Sequence, residues 1–346
     1  MSDRALAHRI ACDLIIVGAG PTGLFATYYA GFRGLTVTLI DAQPEAGGQV
    51  SALYPAKAIH DVAGFPSVSG AELIAGLLDQ ARVYNPRILF GANAVDLVRD
   101  DAGSGLTVTL ADGTSIDSRA VVLATGVGGI RPRTLPLGHG WHGRGLTYLV
   151  PDPAAHEGED IVIVGGGDSA LDWALQLQPI ARSVTVVHRR RAFRAHASSL
   201  KQAARQGVTL LTETEIQAVH GDSHIRSIVL RDGTGAESEI PADTVVGALG
   251  VISAPSPFAG WGLKIHDRKI LVDSAMETNV PGVYAVGDVS TYRGKIALMA
   301  TGFGEAATAV NNAAVQIDPD LSLFPGHSTD VDAGPPTGTS SSHQEA

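Results

Sequence analysis

The sequence predicts an α/β protein: parallel sheets flanked by helices, in two domains of which the second interrupts the first. Three observations carry that expectation. Two apolar runs each end in a glycine-rich turn that opens a helix, Leu14-Ile15-Ile16-Val17-Gly18-Ala19-Gly20-Pro21-Thr22-Gly23 and Ile161-Val162-Ile163-Val164-Gly165-Gly166-Gly167-Asp168-Ser169-Ala170. A third apolar run, Val283-Tyr284-Ala285-Val286, ends in Gly287-Asp288. The chain has 346 residues, 45% hydrophobic and 17% charged, which is long for one compact core and sufficient for two.

Each apolar run before a glycine reads as a strand buried on both faces of a parallel sheet. After Gly23 the pattern turns helical over 24–30, and a second strand follows over 36–40. After Ala170 it is helical over 171–175, with a strand over 183–187. Each stretch is a βαβ unit, so two Rossmann-like dinucleotide-binding domains are expected. The predicted division is a first domain over 1–126 and 255–330, a second inserted over 127–254, and a disordered tail over 331–346. That tail is rich in Gly, Pro, Ser and Thr and lacks apolar periodicity.

The chemistry of the turns follows from residue type. In Gly18-x-Gly20-x-x-Gly23 the first glycine permits a tight turn and the second lets backbone approach a pyrophosphate. The third allows close helix–strand packing, and the helix N-terminus, with Thr22 in its first turn, faces the phosphate charge. Asp41, 18 residues after Gly23 and at the end of the next strand, is placed to accept hydrogen bonds from a ribose. The second turn, Gly165-x-Gly167-x-x-Ala170, carries Asp168 and Ser169 at its helix start. Its following strand ends in His188-Arg189-Arg190-Arg191, with Arg194 close behind, and not in an acid. A carboxylate there would repel a 2′-phosphate, whereas arginines pair with it. The first site therefore suits FAD (or NAD) and the second suits NADP. The run Val121-Val122-Leu123-Ala124-Thr125-Gly126 reads as a buried strand near the crossing between domains. Asp288, closing a strand behind Gly287, suits a ribityl hydroxyl of a flavin.

Composition excludes several classes. The single cysteine, Cys12, rules out an internal disulfide, a Cys-x-x-Cys pair and a cysteine-ligated cluster, so redox chemistry must sit on a bound cofactor. No metal site is expected. No run approaches the roughly 20 apolar residues of a membrane span, and the N-terminal residues lack the apolar segment of a signal peptide, so the cytoplasm is expected. A formal net charge of −10 disfavours non-specific binding to nucleic acid.

Longer stretches make a more specific pattern. They include Gly47-Gly48-Gln49, Leu53-Tyr54-Pro55-Ala56-Lys57 and the run Ile59-His60-Asp61-Val62-Ala63-Gly64-Phe65-Pro66. Further on come the second glycine turn, His188-Arg189-Arg190 with Phe193-Arg194-Ala195-His196, and Gly302-Phe303-Gly304-Glu305-Ala306-Ala307-Thr308-Ala309-Val310-Asn311-Asn312. Over 13–329 the chain resembles the thioredoxin-reductase-like (type 2) ferredoxin/flavodoxin–NADP reductases. Thioredoxin reductase shares the turns but needs a Cys-x-x-Cys before the second one; here that region reads Thr147-Tyr148-Leu149-Val150-Pro151-Asp152-Pro153.

The resemblance implies an oxidoreductase with FAD in the first domain and NADPH in the inserted one. It implies a homodimer that exchanges electrons with ferredoxin or flavodoxin. Carried over residue by residue, Asp41 takes the ribose-binding position where many relatives have Glu, and Gln49 and Tyr54 touch the flavin, with Tyr54 stacked on its ring. Val95 and Ile130 line FAD, and Asp288 meets the ribityl chain. In Phe324-Pro325-Gly326-His327-Ser328-Thr329, His327 would cover the other ring face with Thr329 near it. Because both faces would be covered, either the C-terminal segment or the NADPH domain must move before nicotinamide stacks. NADPH falls to Gly165, Gly167, Asp168, Ser169, His188, Arg189, Arg190 and Arg194, and Arg191 stands where the family has Asp. A basic docking face for an acidic carrier is expected among Lys57, Arg131, Arg133 and the 188–194 region. Two other readings stay open: a diaphorase reducing a quinone, free flavin or ferric complex, and a non-catalytic FAD/NADPH-binding subunit.

Overall fold

The structure, a computed structural model, describes residues 9–100, 105–128, 130–137, 139–253 and 257–329. The side chains of Ile130 and Arg131 and the proposed tail over 331–346 lie outside the described residues. Backbone contacts divide the chain into two compact units, Met1–Gly128 with Pro255–Ala346, and Gly129–Ala254. Among the described residues no helix is long and apolar enough to cross a membrane.

The first unit is built on a five-stranded parallel sheet in the order Val283–Ala285, Ala120–Leu123, Leu14–Val17, Val37–Asp41, Arg87–Phe90. Leu14, Ile15, Ile16 and residues 120–123 are fully buried, which is why these strands read as unbroken apolar runs and not as alternating ones. Helix Pro21–Phe32 packs beside helix Gly70–Arg82 and helix Met299–Ile317. Strand Leu14–Val17 thus has a neighbour on each side that is reached by a different crossover. Carboxyl ends of strands at such a reversal of order leave a crevice, the usual place for a ligand in open α/β sheets. A second sheet, Arg9–Ala11, Ser115–Ser118, Leu106–Leu110, Ala94–Arg99, belongs to the same unit.

The inserted unit repeats the device. Its parallel sheet runs Leu146–Thr147, Thr244–Gly247, Asp160–Val164, Ser183–Val187, Thr209–Leu211. Asp160–Val164, which leads into the second glycine turn, is again flanked on both sides. An antiparallel sheet of Glu215–Gly221, Ile225–Arg231 and Glu237–Pro241 packs Ile225, Ile228 and Leu230 against Leu146, Val162, Val187 and Val245 of the parallel sheet. Strand Ile130–Pro132, which leads into the unit, pairs antiparallel with Val251–Ser253, which leads out.

Candidate dinucleotide sites

In the first unit the glycine turn is fixed by steric necessity. Gly18 has φ +111°, and a Cβ there would lie 2.5 Å from the Ala124 carbonyl oxygen; a Cβ on Gly23 would overlap the Gly18 carbonyl. Gly20, by contrast, has nothing within 4 Å of its Cβ position and is the N-cap of helix Pro21–Phe32. The first-turn N–H groups of Thr22 and Gly23 have no intrahelical partner and face that open space's end of the helix. The cradle is therefore closed where packing demands and open where an anion would rest.

Other motifs converge on this turn. The Gly47 N–H donates to the Ala19 carbonyl at 2.8 Å, and the Cβ position of Gly48 lies 3.4 Å from Gly20 Cα. Gln49 Nε2 stands 3.0 Å from the Cβ position of Gly126, which has φ +63°. Asp41 ends its strand with Oδ2 accepting from the Ala19 N–H at 2.6 Å and Oδ1 accepting from the Gln43 N–H at 2.7 Å. Burial pushes this carboxyl above the usual carboxylate range, and the two N–H bonds oppose the shift. Asp41 thus braces the turn itself, a role its short side chain permits and that sequence reasoning did not assign.

Tyr54 is half-buried at the end of helix Gln49–Leu53. Burial raises its hydroxyl above the ordinary value, with the charges of Asp288 and then Asp61 adding to the shift, so Tyr54 and Asp288 lie within electrostatic reach. Thr125 Oγ1 is buried without a hydrogen-bond partner among the described residues, beside the Ala124 carbonyl that Gly18 approaches. An orphaned buried hydroxyl is costly unless a ligand completes it. With the open cradle over Gly20, it suits the flavin dinucleotide that the sequence implied.

The remaining expected contacts are less gathered. Val95 is 46% exposed at a bulge in its strand, and its carbonyl accepts from the Trp261 indole N–H at 3.4 Å. Ile130 belongs to the inserted unit by backbone contacts. His327 and Thr329 are exposed, with the His327 ring edge-on to Phe324 at 5.2 Å. Their segment is tied to the first unit where Arg33 Nη2 donates to the Ser322 carbonyl at 2.7 Å.

In the inserted unit the same logic recurs. A Cβ on Gly165 would overlap the Ala248 carbonyl, and Gly167, the N-cap of helix Asp168–Leu177, has open space. A cavity of about 880 Å³ lies against this turn, lined by Gly165, Gly167 and Ser169 on one side. The same cavity is lined by Arg189, Arg190, Arg194 and, from the start of the unit, Arg133. Arg189, Arg190 and Arg194 are exposed, and none forms an ion pair with another described residue. Four arginines against one acid, Glu215, around one cavity, none of the four in an ion pair with another described residue, make an anion site. Arg133, expected on a docking face, also lines this cavity.

Two expected NADPH residues are bracing groups here. His188 is buried, its ring stacked on Phe193 at 5.2 Å and its Nε2 3.2 Å from the Ala192 carbonyl; a Cβ on Gly166 would overlap the ring. Burial holds His188 below the ordinary imidazole value, and the charges of Arg194, Arg190 and Arg189 lower it further. It lines the cavity, and its burial favours the neutral ring. Asp168 Oδ1 accepts from the His196 N–H at 2.9 Å and so ties the end of the arginine loop to the helix start. The N–H groups of Arg194 and Ala195 both donate to the Gly166 carbonyl, at 2.6 and 3.2 Å, folding that loop onto the turn.

Two glycine turns, each at the reversal point of a parallel sheet, define a protein with two dinucleotide sites. A family model described as pyridine nucleotide-disulphide oxidoreductase matches residues 12–313. The chain is 50% identical over 325 residues to a ferredoxin–NADP reductase of a Nocardioides species, covering 93% of this chain and 98% of that one. It is 45% identical over 325 residues to a ferredoxin–NADP reductase of Thermus thermophilus, covering 92% and 96%. Among solved structures, thioredoxin reductase of T. acidophilum superposes with a TM-score of 0.72 at 26% identity, covering 88% of this chain and 98% of that one. The chain belongs to the pyridine nucleotide-disulphide oxidoreductase family, in the branch that holds these ferredoxin–NADP reductases.

Proposed function

We propose that this chain is an FAD-dependent ferredoxin (or flavodoxin)–NADP reductase, acting in the cytoplasm as a homodimer. Bound FAD supplies the exchange between a two-electron hydride donor and a one-electron protein carrier. The observation that carries the reading is the arginine-lined cavity at the second glycine turn, in a chain whose only cysteine is Cys12. Without a dithiol, electrons have no protein sulfur to pass through on their way out.

The residues bind, orient and exclude water; no side chain has to donate or abstract a proton. Gly18, Gly20, Thr22 and Gly23 present backbone N–H groups and open space to the FAD pyrophosphate. Asp41 holds the turn and offers its remaining lone pairs to the ribose. Gln49, Thr125 and Asp288 would hold the flavin, with Tyr54 and His327 beside its ring and Val95 and Thr329 bordering it. Gly165, Gly167 and Ser169 would take the coenzyme pyrophosphate, and Arg189, Arg190 and Arg194 its 2′-phosphate, in the cavity that the buried His188 also lines. Asp168 keeps that arginine loop in place.

Anaerobic titration of the purified yellow protein tests this reading. NADPH should bleach the bound flavin at stoichiometric amounts, NADH should do so only at far higher concentration, and added ferredoxin or flavodoxin should restore the colour. Bleaching that only quinone or ferric complexes reverse would make the chain a diaphorase. Failure of NADPH to bleach the flavin would leave it a binding subunit.

A further inference from the structure

One cluster of charged side chains lies wholly inside the first unit, behind Asp288. Glu305, on helix Met299–Ile317, and Lys295 form an ion pair, and their side chains are only 4% and 6% exposed. Burying two charges is costly unless every lone pair and proton finds a partner. Here they do. Glu305 Oε2 accepts from the Gly287 N–H at 2.7 Å and lies 3.5 Å from the Ser290 hydroxyl. Glu305 Oε1 accepts from the Tyr292 hydroxyl at 2.7 Å and from the Lys295 ammonium. Lys295 Nζ also reaches Ser290 Oγ at 3.4 Å and sits 5.6 Å from the centre of the Tyr292 ring.

The target of this network is one peptide. Glu305 holds the Gly287 N–H, and Ser290 Oγ donates to the Gly287 carbonyl at 2.9 Å, so both polar groups of that residue are fixed. Gly287 has φ +72° and immediately precedes Asp288. Thr22 of the first glycine turn is wedged against the same place: a Cβ on Gly287 would lie 3.1 Å from Thr22 Oγ1, and one on Gly302 would overlap it. The glycine turn, the Gly287 turn and the start of the last helix are therefore one block. Apolar side chains of similar volume would fill the space without burying charge. They would leave the Gly287 N–H without an acceptor and its peptide free to rotate.

We propose that Glu305, charge-balanced by Lys295, is a positioning residue for the flavin, fixing the Gly287 peptide so that the Asp288 carboxylate is aimed before FAD arrives. The inference rests on the assignment of Asp288 to the flavin chain. Its readouts are FAD retention, followed on the full-length holoprotein by the rise of free-flavin fluorescence on dilution, and the flavin midpoint potential. Glu305→Leu with Lys295→Met removes both charges and the acceptor. This double variant should fold, by circular dichroism and melting, yet hold FAD at least tenfold more weakly. Glu305→Gln with Lys295→Met keeps an acceptor oxygen for Gly287 and should restore FAD retention to within about threefold of wild type. Glu305→Gln alone leaves a buried cation that favours reduced, anionic flavin, so the midpoint potential should rise and then return in the double variant with Lys295→Met. Equal FAD retention by wild type and the Leu/Met variant overturns the proposal, as does an unmoved potential in folded Glu305→Gln. A wild-type protein that carries no flavin and takes up none when offered overturns instead the reading of the whole site.

Discussion

Replacing Arg189 and Arg190 together by alanine gives the sharpest test of how the second cavity chooses its coenzyme. Both line it, both are exposed, and neither is engaged by a carboxylate among the described residues. Hydrogen bonds to charged groups contribute about 1.5–3 kcal/mol each, and solvent exposure puts these two at the low end. The pair then supplies about 3 kcal/mol to the 2′-phosphate, which at 1.4 kcal/mol per factor of ten is roughly a hundredfold. The assay is steady-state kcat/KM for NADPH and for NADH with ferricyanide as acceptor. Efficiency with NADPH should fall by about two orders of magnitude, while that with NADH stays within about twofold. Raising ionic strength should also weaken the wild type more than the variant for NADPH, because exposed charges are screened. An equal loss with both coenzymes would mean that these arginines hold the loop and not the phosphate.

Three further outcomes follow from the geometry. Arg133→Ala should raise KM for NADPH several-fold and leave KM for ferredoxin unchanged; the opposite pattern would return Arg133 to a docking face. Gly23→Ala forces a methyl group into the Gly18 carbonyl, an overlap with backbone that no rotamer can relieve, so the protein should purify with little flavin absorbance. His188, lowered first by burial, binds a proton more readily unfolded than folded. Its contribution to stability is therefore full above about pH 6.5 and is lost as pH falls below that unfolded value. Melting temperatures of wild type and His188→Phe between pH 7.5 and 5 should converge as the pH drops; parallel curves would count against a neutral buried ring.

The glycine turns, their strands and their first helices were legible because they are local. Gly18, Gly20 and Gly23 fall within one strand–turn–helix unit, and what each must do follows from backbone geometry alone. The contrast between Asp41 and the arginines after Val187 was legible for the same reason: each closes the strand that follows its own turn. Legibility failed where a side chain's partner lies elsewhere in the chain. Asp168 reads as a phosphate-side residue and in the structure accepts from the His196 N–H. His188 reads as part of a basic run and lies beneath Gly166, stacked on Phe193. Arg133 stands far from the arginine loop in sequence and faces the same cavity. One signal was available, a histidine between the apolar pair Val186-Val187 and an arginine run, which suits a buried ring better than an exposed ligand.

By itself the sequence determined two βαβ modules, which strand carries which kind of terminal residue, and that sulfur could not carry the electrons. Those properties depend on residue type and short spacing, and a single cysteine needs no coordinates to be counted. The tertiary structure alone decided which polar groups remain unspent. Ala19 and Gln43 occupy Asp41, and Gly287, Tyr292 and Lys295 occupy Glu305, whereas Thr125 Oγ1 stays unpartnered. A hydrogen bond is satisfied by whatever the fold brings within about 3 Å, and that distance has no counterpart in the linear order of the chain.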